Sequence, residues 1–156
     1  MENNNGIALL SLTTLVSLFS LTHATTIPNI TIVSCYDADT CRVNLPRSAF
    51  NDDWAYQLFG HNIPIRVEGI DTPEIRGKCQ KEKDLAYEAR DLVRGLLNNA
   101  QAITLTIDDN PKEVRGKYFR IVGRLIADGV DISNLLIERH LAVSYDGGTK
   151  GKDWCG

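Results

Sequence analysis

The feature that most limits what this chain can fold into is its succession of short β-branched runs separated by turn residues. They cover residues 30–35, 40–45, 63–70, 103–107 and 120–127. Runs of this length, rich in Val, Ile and Thr, suit a half-buried pleated surface and read as five strands. Asp128-Gly129 is a turn signal after the last run, and Asp37-Ala38-Asp39 turns the first pair into a hairpin, so neighbouring strands are expected to be mostly antiparallel.

The period changes once, over residues 84–99. There Leu85, Ala89, Leu92, Val93, Leu96 and Leu97 form one apolar stripe with charged residues elsewhere, which predicts an amphipathic helix. A shorter helix is expected over 132–139, where Ile132, Leu135 and Leu136 share a face, followed by an extended stretch over 141–145. The order β-β-β-α-β-β-α implies an α+β, mainly β fold. The expected form is a five-stranded OB-type Greek-key barrel with two or three helices, the long helix covering its open bottom. Residues 46–62 are long for a hairpin connection and carry Phe50, Trp54, Tyr56 and Phe59. Two readings stand for them: a flap that stacks on bases, or a loop that its aromatics pin to the barrel.

The first two dozen residues belong to neither pattern. Residues 7–21 form an apolar run with interspersed Ser and Thr, too short for a comfortable span of about 20 residues, and Thr22-His23-Ala24 offers small residues for cleavage. Residues 1–24 therefore read as a signal peptide and 25–156 as one domain, exported to the periplasm or outside the cell without stable membrane association. The presence of Glu2 and the lack of Lys or Arg in the n-region keep an uncleaved anchor as the alternative. Removing 24 of the 156 residues leaves 132, enough for a single core. The net charge of −3 excludes tight binding of nucleic acid by bulk charge. It does not exclude an enzyme, which needs only a local positive site for a phosphate.

All four cysteines, Cys35, Cys41, Cys79 and Cys155, lie behind this leader, and an even count in that setting argues for disulfides. Three pairings are possible; the favoured one is Cys35–Cys41 across the hairpin tip and Cys79–Cys155 holding the tail. Zinc is the rival, but there is no CxxC pair and His61 and His140 sit at no ligand-like spacing.

Three clusters place charges where a barrel is normally neutral: Asp37-Ala38-Asp39-Thr40, Arg66 followed by Asp71-Thr72-Pro73-Glu74, and Lys117-Tyr118-Phe119-Arg120. Phosphodiester hydrolysis needs an activated water, neutralised phosphate charge and in-line placement, and these clusters supply each part. Asp39, Asp71 and the Thr72 carbonyl are hard oxygen ligands for one divalent cation. Arg66 and Arg120 offer planar forks to phosphate oxygens. Glu74 is the candidate general base, since no histidine lies near the clusters. Taken singly, each has a duller role: Asp37 as a turn residue, Arg66 and Glu68 as surface charges, Glu74 as an exposed carboxylate.

Taken in order, DADT, IRVEGIDTPE, KYFR with GRLIADG and HLAVSY resemble the staphylococcal nuclease family, whose usual signatures are DGDT, R-x-x-x-x-DTPE and YGR; the likeness runs from about Ile30 to Tyr145. It implies calcium (one ion) on Asp39, Asp71 and the Thr72 carbonyl, phosphate on Arg66 and Arg120, Glu74 as base, and substrate contacts from Lys117, Tyr118 and Tyr145. It further implies endonucleolytic cleavage of DNA and RNA, single strands preferred, leaving 3′-phosphates, by a monomer. Ala38 and Phe119 stand where the family's signatures carry glycine, and 46–62 is an insertion. The alternative class is a catalytically inactive OB-type nucleic-acid-binding module. Against it, Asp39, Asp71 and Glu74 without a cation would repel a phosphate. A third reading, a partner-binding barrel, has only the Asn29-Ile30-Thr31 glycosylation sequon behind it.

Overall fold

The structure is a computed structural model that describes residues 24–108 and 120–156. The expected leader lies almost wholly outside the described residues. No helix among the described residues is long and apolar enough to cross a membrane.

Among the described residues nine strands and three α-helices follow one another: β1 Ala24–Pro28, β2 Thr31–Asp37, β3 Thr40–Asn44, α1 Asp53–Phe59, β4 Ile63–Val67, β5 Ile70–Asp71, α2 Gln80–Asn99, β6 Ile103–Asp108, β7 Ile121–Ala127, β8 Val130–Asp131, α3 Ile132–Glu138 and β9 Val143–Ser144. The fold is mixed α+β and mainly strands, as the sequence implies, but the barrel expectation needs correction. Among the described residues the strands form a seven-stranded sheet in the order β1-β6-β7-β4-β3-β2, with β8 on β7, and β5 and β9 form a separate two-stranded sheet. The path is open rather than a closed five-strand barrel. Of the extra strands, β5, β8 and β9 have two residues each, too few for a period to register, and β1 has five. Among the described residues every strand pairing is antiparallel except β4 with β7.

The core lies between the sheet and α2, with Val43, Ile65, Val67, Leu105, Leu125 and Val93 at or near zero exposure. Ala86, Ala89, Val93 and Leu97 are the buried stripe of α2, at the three- and four-residue spacing that places side chains on one helix face. The helix begins at Gln80, four residues before the stripe predicts. Its N-cap is Cys79, whose Sγ accepts from the Glu82 N–H at 3.4 Å, an atypical cap compared with the usual Ser, Thr, Asp or Asn. By contrast Asp131 caps α3 in the usual way, accepting from Ser133 and Asn134 N–H.

Residues 46–62 are not a bare loop. They contain a 3-10 turn at Arg47–Ala49 and α1. Phe50 packs against the core and its ring lies 5.7 Å from that of Tyr56. Trp54 and Phe59 are more than half exposed. Phe50 thus fits the pinned reading, while Trp54 and Phe59 leave faces open to solvent. The Asp128-Gly129 turn is as expected: φ is +48° and +83°, so both central residues are left-handed, the hairpin geometry that Asp-Gly favours.

Candidate active site

The β2–β3 hairpin carries the first acidic residue inward. Cys35 faces Cys41 and Asp37 faces Thr40 across the ladder, with a bulge between Cys35 and Asp37. Cys35 and Cys41 are disulfide-bonded, Cα–Cα 3.9 Å, so the tip is clamped just beyond the turn. Ala38 does not adopt positive φ and its side chain is buried. The departure from glycine at this position therefore carries no backbone penalty.

Asp39 is 6% exposed. Its Oδ1 accepts from the Thr40 hydroxyl at 2.9 Å and its Oδ2 from the Thr72 hydroxyl at 2.9 Å. Arg66, on the central strand β4, makes an ion pair with Asp39 Oδ2. The same guanidinium donates to the Asp39 carbonyl at 3.3 Å and the Ile70 carbonyl at 2.9 Å, and its Nη2 lies 4.0 Å from Asp71 Oδ1. One rigidly placed cation thus joins the hairpin tip to the segment after β4. That segment turns at Gly69, φ +78°, where a side chain would be strained. It then runs through β5, which pairs Asp71 with Val143 and Ile70 with Ser144. A backbone bond from Tyr145 N–H to the Gly69 carbonyl, 2.9 Å, closes the same corner.

Asp71 is 3% and Thr72 1% exposed. Asp71 Oδ1 is buried without a hydrogen-bond donor, yet the Lys150 ammonium lies 2.8 Å from it. The contact is a charge contact rather than an aligned hydrogen bond. Lys150 also reaches Glu74 Oε1 at 2.6 Å. Glu74 is about half exposed on a loop tied to α2, because Glu82 accepts from Glu74 N–H at 3.4 Å and Lys78 N–H at 2.8 Å.

Burial works against the Lys150 charge, but its close contact with Asp71, its hydrogen bond to Glu74 and the attraction of both carboxylates outweigh it and raise its pKa above the ordinary 10.5. Asp37 is pushed above the usual carboxylate value, first by burial and then by the nearby Asp39 and Glu74 charges, against the Ile75 N–H and the Lys150 charge. A dense set of carboxylates on a partly dry surface has this effect.

Arg120 Nη1 donates to the Thr40 hydroxyl at 3.4 Å, and Thr40 in turn donates to Asp39. Arg120 therefore stands at the rim of the same constellation. Tyr145 donates its hydroxyl to the Gly148 carbonyl at 2.7 Å. With Asp71, Gly69, Thr149 and Lys152 it lines a groove of about 680 Å³. Lys117, Tyr118 and Phe119 lie outside the described residues.

The expected residues Asp39, Arg66, Asp71, Thr72, Glu74 and Arg120 are thus linked by contact into one site, with Tyr145 on the adjoining groove. Arg66 departs from the simplest expectation, since it is spent on Asp39 and two carbonyls rather than aimed outward. Lys150 and Asp37 are additional members. A lone lysine in a glycine-rich tail has no local signature; its only pointer was the Cys79–Cys155 pairing, which bends the tail back (Cα–Cα 6.0 Å). The donors gathered here, buried carboxylates with one oxygen lacking a hydrogen-bond donor, are hard oxygens that fit a divalent cation such as calcium.

The fold is thus mainly β and gathers carboxylates and arginines at the end of β4. The family model described as staphylococcal nuclease homologue matches residues 64–153, and the chain belongs to that family. The match includes Arg66, Asp71, Glu74, Arg120 and Lys150; Asp39 precedes it. No curated protein matches the chain at a significant level.

Proposed function

We propose that residues 25–156 form a secreted, monomeric, calcium-dependent endonuclease that cuts DNA and RNA, preferably single strands, leaving 3′-phosphates. Residues 1–24 serve as its signal peptide. The observation that carries this reading is the convergence of three segments: Arg66 touches Asp39 and stands beside Asp71, the Thr72 hydroxyl also holds Asp39, and Arg120 reaches Thr40 at the same hairpin tip.

Asp39, Asp71 and the Thr72 carbonyl would hold one calcium ion, which supplies positive charge against the phosphate in the transition state. Asp71 and Thr72 are fixed by β5 and by burial, so they present oxygens without reorganising, which is what electrostatic stabilisation needs. Arg120, at the rim, grips a non-bridging phosphate oxygen; Arg66 holds the acidic ligands in register and shares the phosphate when substrate arrives. Glu74, half exposed on a loop tied to Glu82, takes the proton from the attacking water. Tyr145, together with Lys117 and Tyr118, holds the neighbouring nucleotides.

The test is digestion of single-stranded DNA, duplex DNA and RNA with calcium, with magnesium and with chelator, followed by end-group analysis. Calcium-dependent cleavage with 3′-phosphate ends is expected. Chelator-insensitive cleavage refutes the metal role, and binding without cutting supports the inactive module instead.

A further inference from the structure

The tail after β9 is anchored at both ends. Near β9, Tyr145 N–H donates to the Gly69 carbonyl at 2.9 Å, and the turn that follows is closed by the Tyr145 hydroxyl donating to the Gly148 carbonyl and Gly148 N–H to Asp146 Oδ1 at 3.0 Å. At the far end, Cys155 is bonded to Cys79, Trp154 is 8% exposed, and Lys81 Nζ donates to the Gly156 carbonyl at 2.6 Å. Between these anchors Lys150 is delivered onto Asp71 and Glu74.

We propose that Lys150 is a tethered cation that competes with the divalent ion for Asp71, and that the Cys79–Cys155 staple maintains this competition. The proposal rests on the reading of Asp71 as a metal ligand. Asp71 Oδ1 is buried and faces the ammonium at 2.8 Å. An incoming cation must either displace that ammonium or share the carboxylate with it, and like charges a few ångströms apart repel in both cases. The anchors matter because a lysine on an untethered tail is dilute, whereas one held between two fixed points has a high effective concentration at the carboxylates. The oxidised strap therefore raises the ion concentration at which the site fills, and opening the disulfide lowers it.

Calcium binding to the full, oxidised chain is measured by calorimetry for wild type, Lys150→Met, Lys150→Arg and the double variant Cys79→Ser/Cys155→Ser. If the ammonium holds Asp71 about nine-tenths of the time, Lys150→Met binds calcium roughly ten-fold more tightly, because apparent affinity scales with the fraction of competent sites. Lys150→Arg, which keeps the charge, stays nearer wild type. The double Ser variant tightens as Lys150→Met does, and adding Lys150→Met to it gives no further gain. With chelator present Lys150→Met melts below wild type, and calcium raises its Tm by more. Equal or weaker calcium binding by Lys150→Met overturns the competition. Tightening in Lys150→Met but not in the double Ser variant overturns the role of the staple. If calcium binds neither wild type nor any variant, the metal-dependent reading fails and takes this proposal with it.

Discussion

Arg66→Gln separates the structural work of this arginine from its proposed phosphate-binding work. The side chains of Arg66, Asp39 and Asp71 are 13%, 9% and 4% exposed, so the cation and both carboxylates are largely out of water. The substitution removes the ion pair to Asp39 and the nearby charge 4.0 Å from Asp71, and it shortens the reach to the Asp39 and Ile70 carbonyls. Breaking one partner of a buried pair costs about 3–5 kcal/mol because the remaining charge is uncompensated. Lys150 stays beside Asp71 and offsets part of this, which places the expected loss near the lower bound, about 3 kcal/mol. For a domain of this size that is a fall in Tm of about 10 °C. Urea denaturation followed by circular dichroism, with chelator present, measures it. Millimolar calcium should restore part of the loss, since a cation that binds only the folded state stabilises it. A loss below about 1 kcal/mol with chelator would place this contact among surface pairs and refute the view that Arg66 holds the acidic cluster together. Arg66→Lys then isolates the phosphate role: it keeps the charge but not the fork, so cleavage should fall by more than stability does.

Three further outcomes follow from the same geometry. Glu74→Gln should lower kcat by about 10²–10⁴-fold while changing stability by under about 1 kcal/mol, since its pair with Lys150 is exposed; steady-state kinetics beside a melting curve checks both, and unchanged kcat moves the base elsewhere. Ala38→Gly, which restores the family's usual residue, should cost about 0.5–1 kcal/mol through added unfolded-state freedom and give no gain in activity, because Ala38 needs no left-handed backbone; a gain in either refutes this account of the turn. In chelator, the stability gap between wild type and Lys150→Met should be fully present below pH 10.5 and vanish as pH rises through the raised pKa of Lys150, since the folded state then loses a proton it had bound more tightly than the unfolded chain; denaturation midpoints of the two proteins against pH measure the gap, and a gap that widens above pH 10.5 contradicts the pairing.

How much of this was legible in the sequence depended on whether the deciding interaction was local. The α2 stripe, the Asp128-Gly129 turn and the Cys35–Cys41 hairpin follow from spacing, because each is decided by residues a few positions apart. The start of α2 was misplaced since its cap is a sulfur already committed to a distant partner, Cys155. β1 pairs Ala24 with Asp108 and Pro28 with Thr104, a long-range register that a short run next to an apolar stretch does not announce. β5 and β9 exist only because they find each other across the molecule.

The candidate site divides along the same line. Its residue types were readable because phosphodiester chemistry calls for carboxylates and guanidinium groups, and Arg66, Asp71 and Glu74 lie within one short stretch. What the sequence could not supply was their pairing. In three dimensions Arg66 neutralises Asp39 and Lys150 neutralises Asp71 and Glu74, so the positive groups near the proposed phosphate site are also the ones that keep its carboxylates from repelling each other. Charge balance of this kind ties stability to the proposed activity. A substitution at Arg66 or Lys150 changes the acidic cluster before it changes anything bound there, and cleavage assays on such variants measure phosphate contact only when stability and cation affinity are measured beside them.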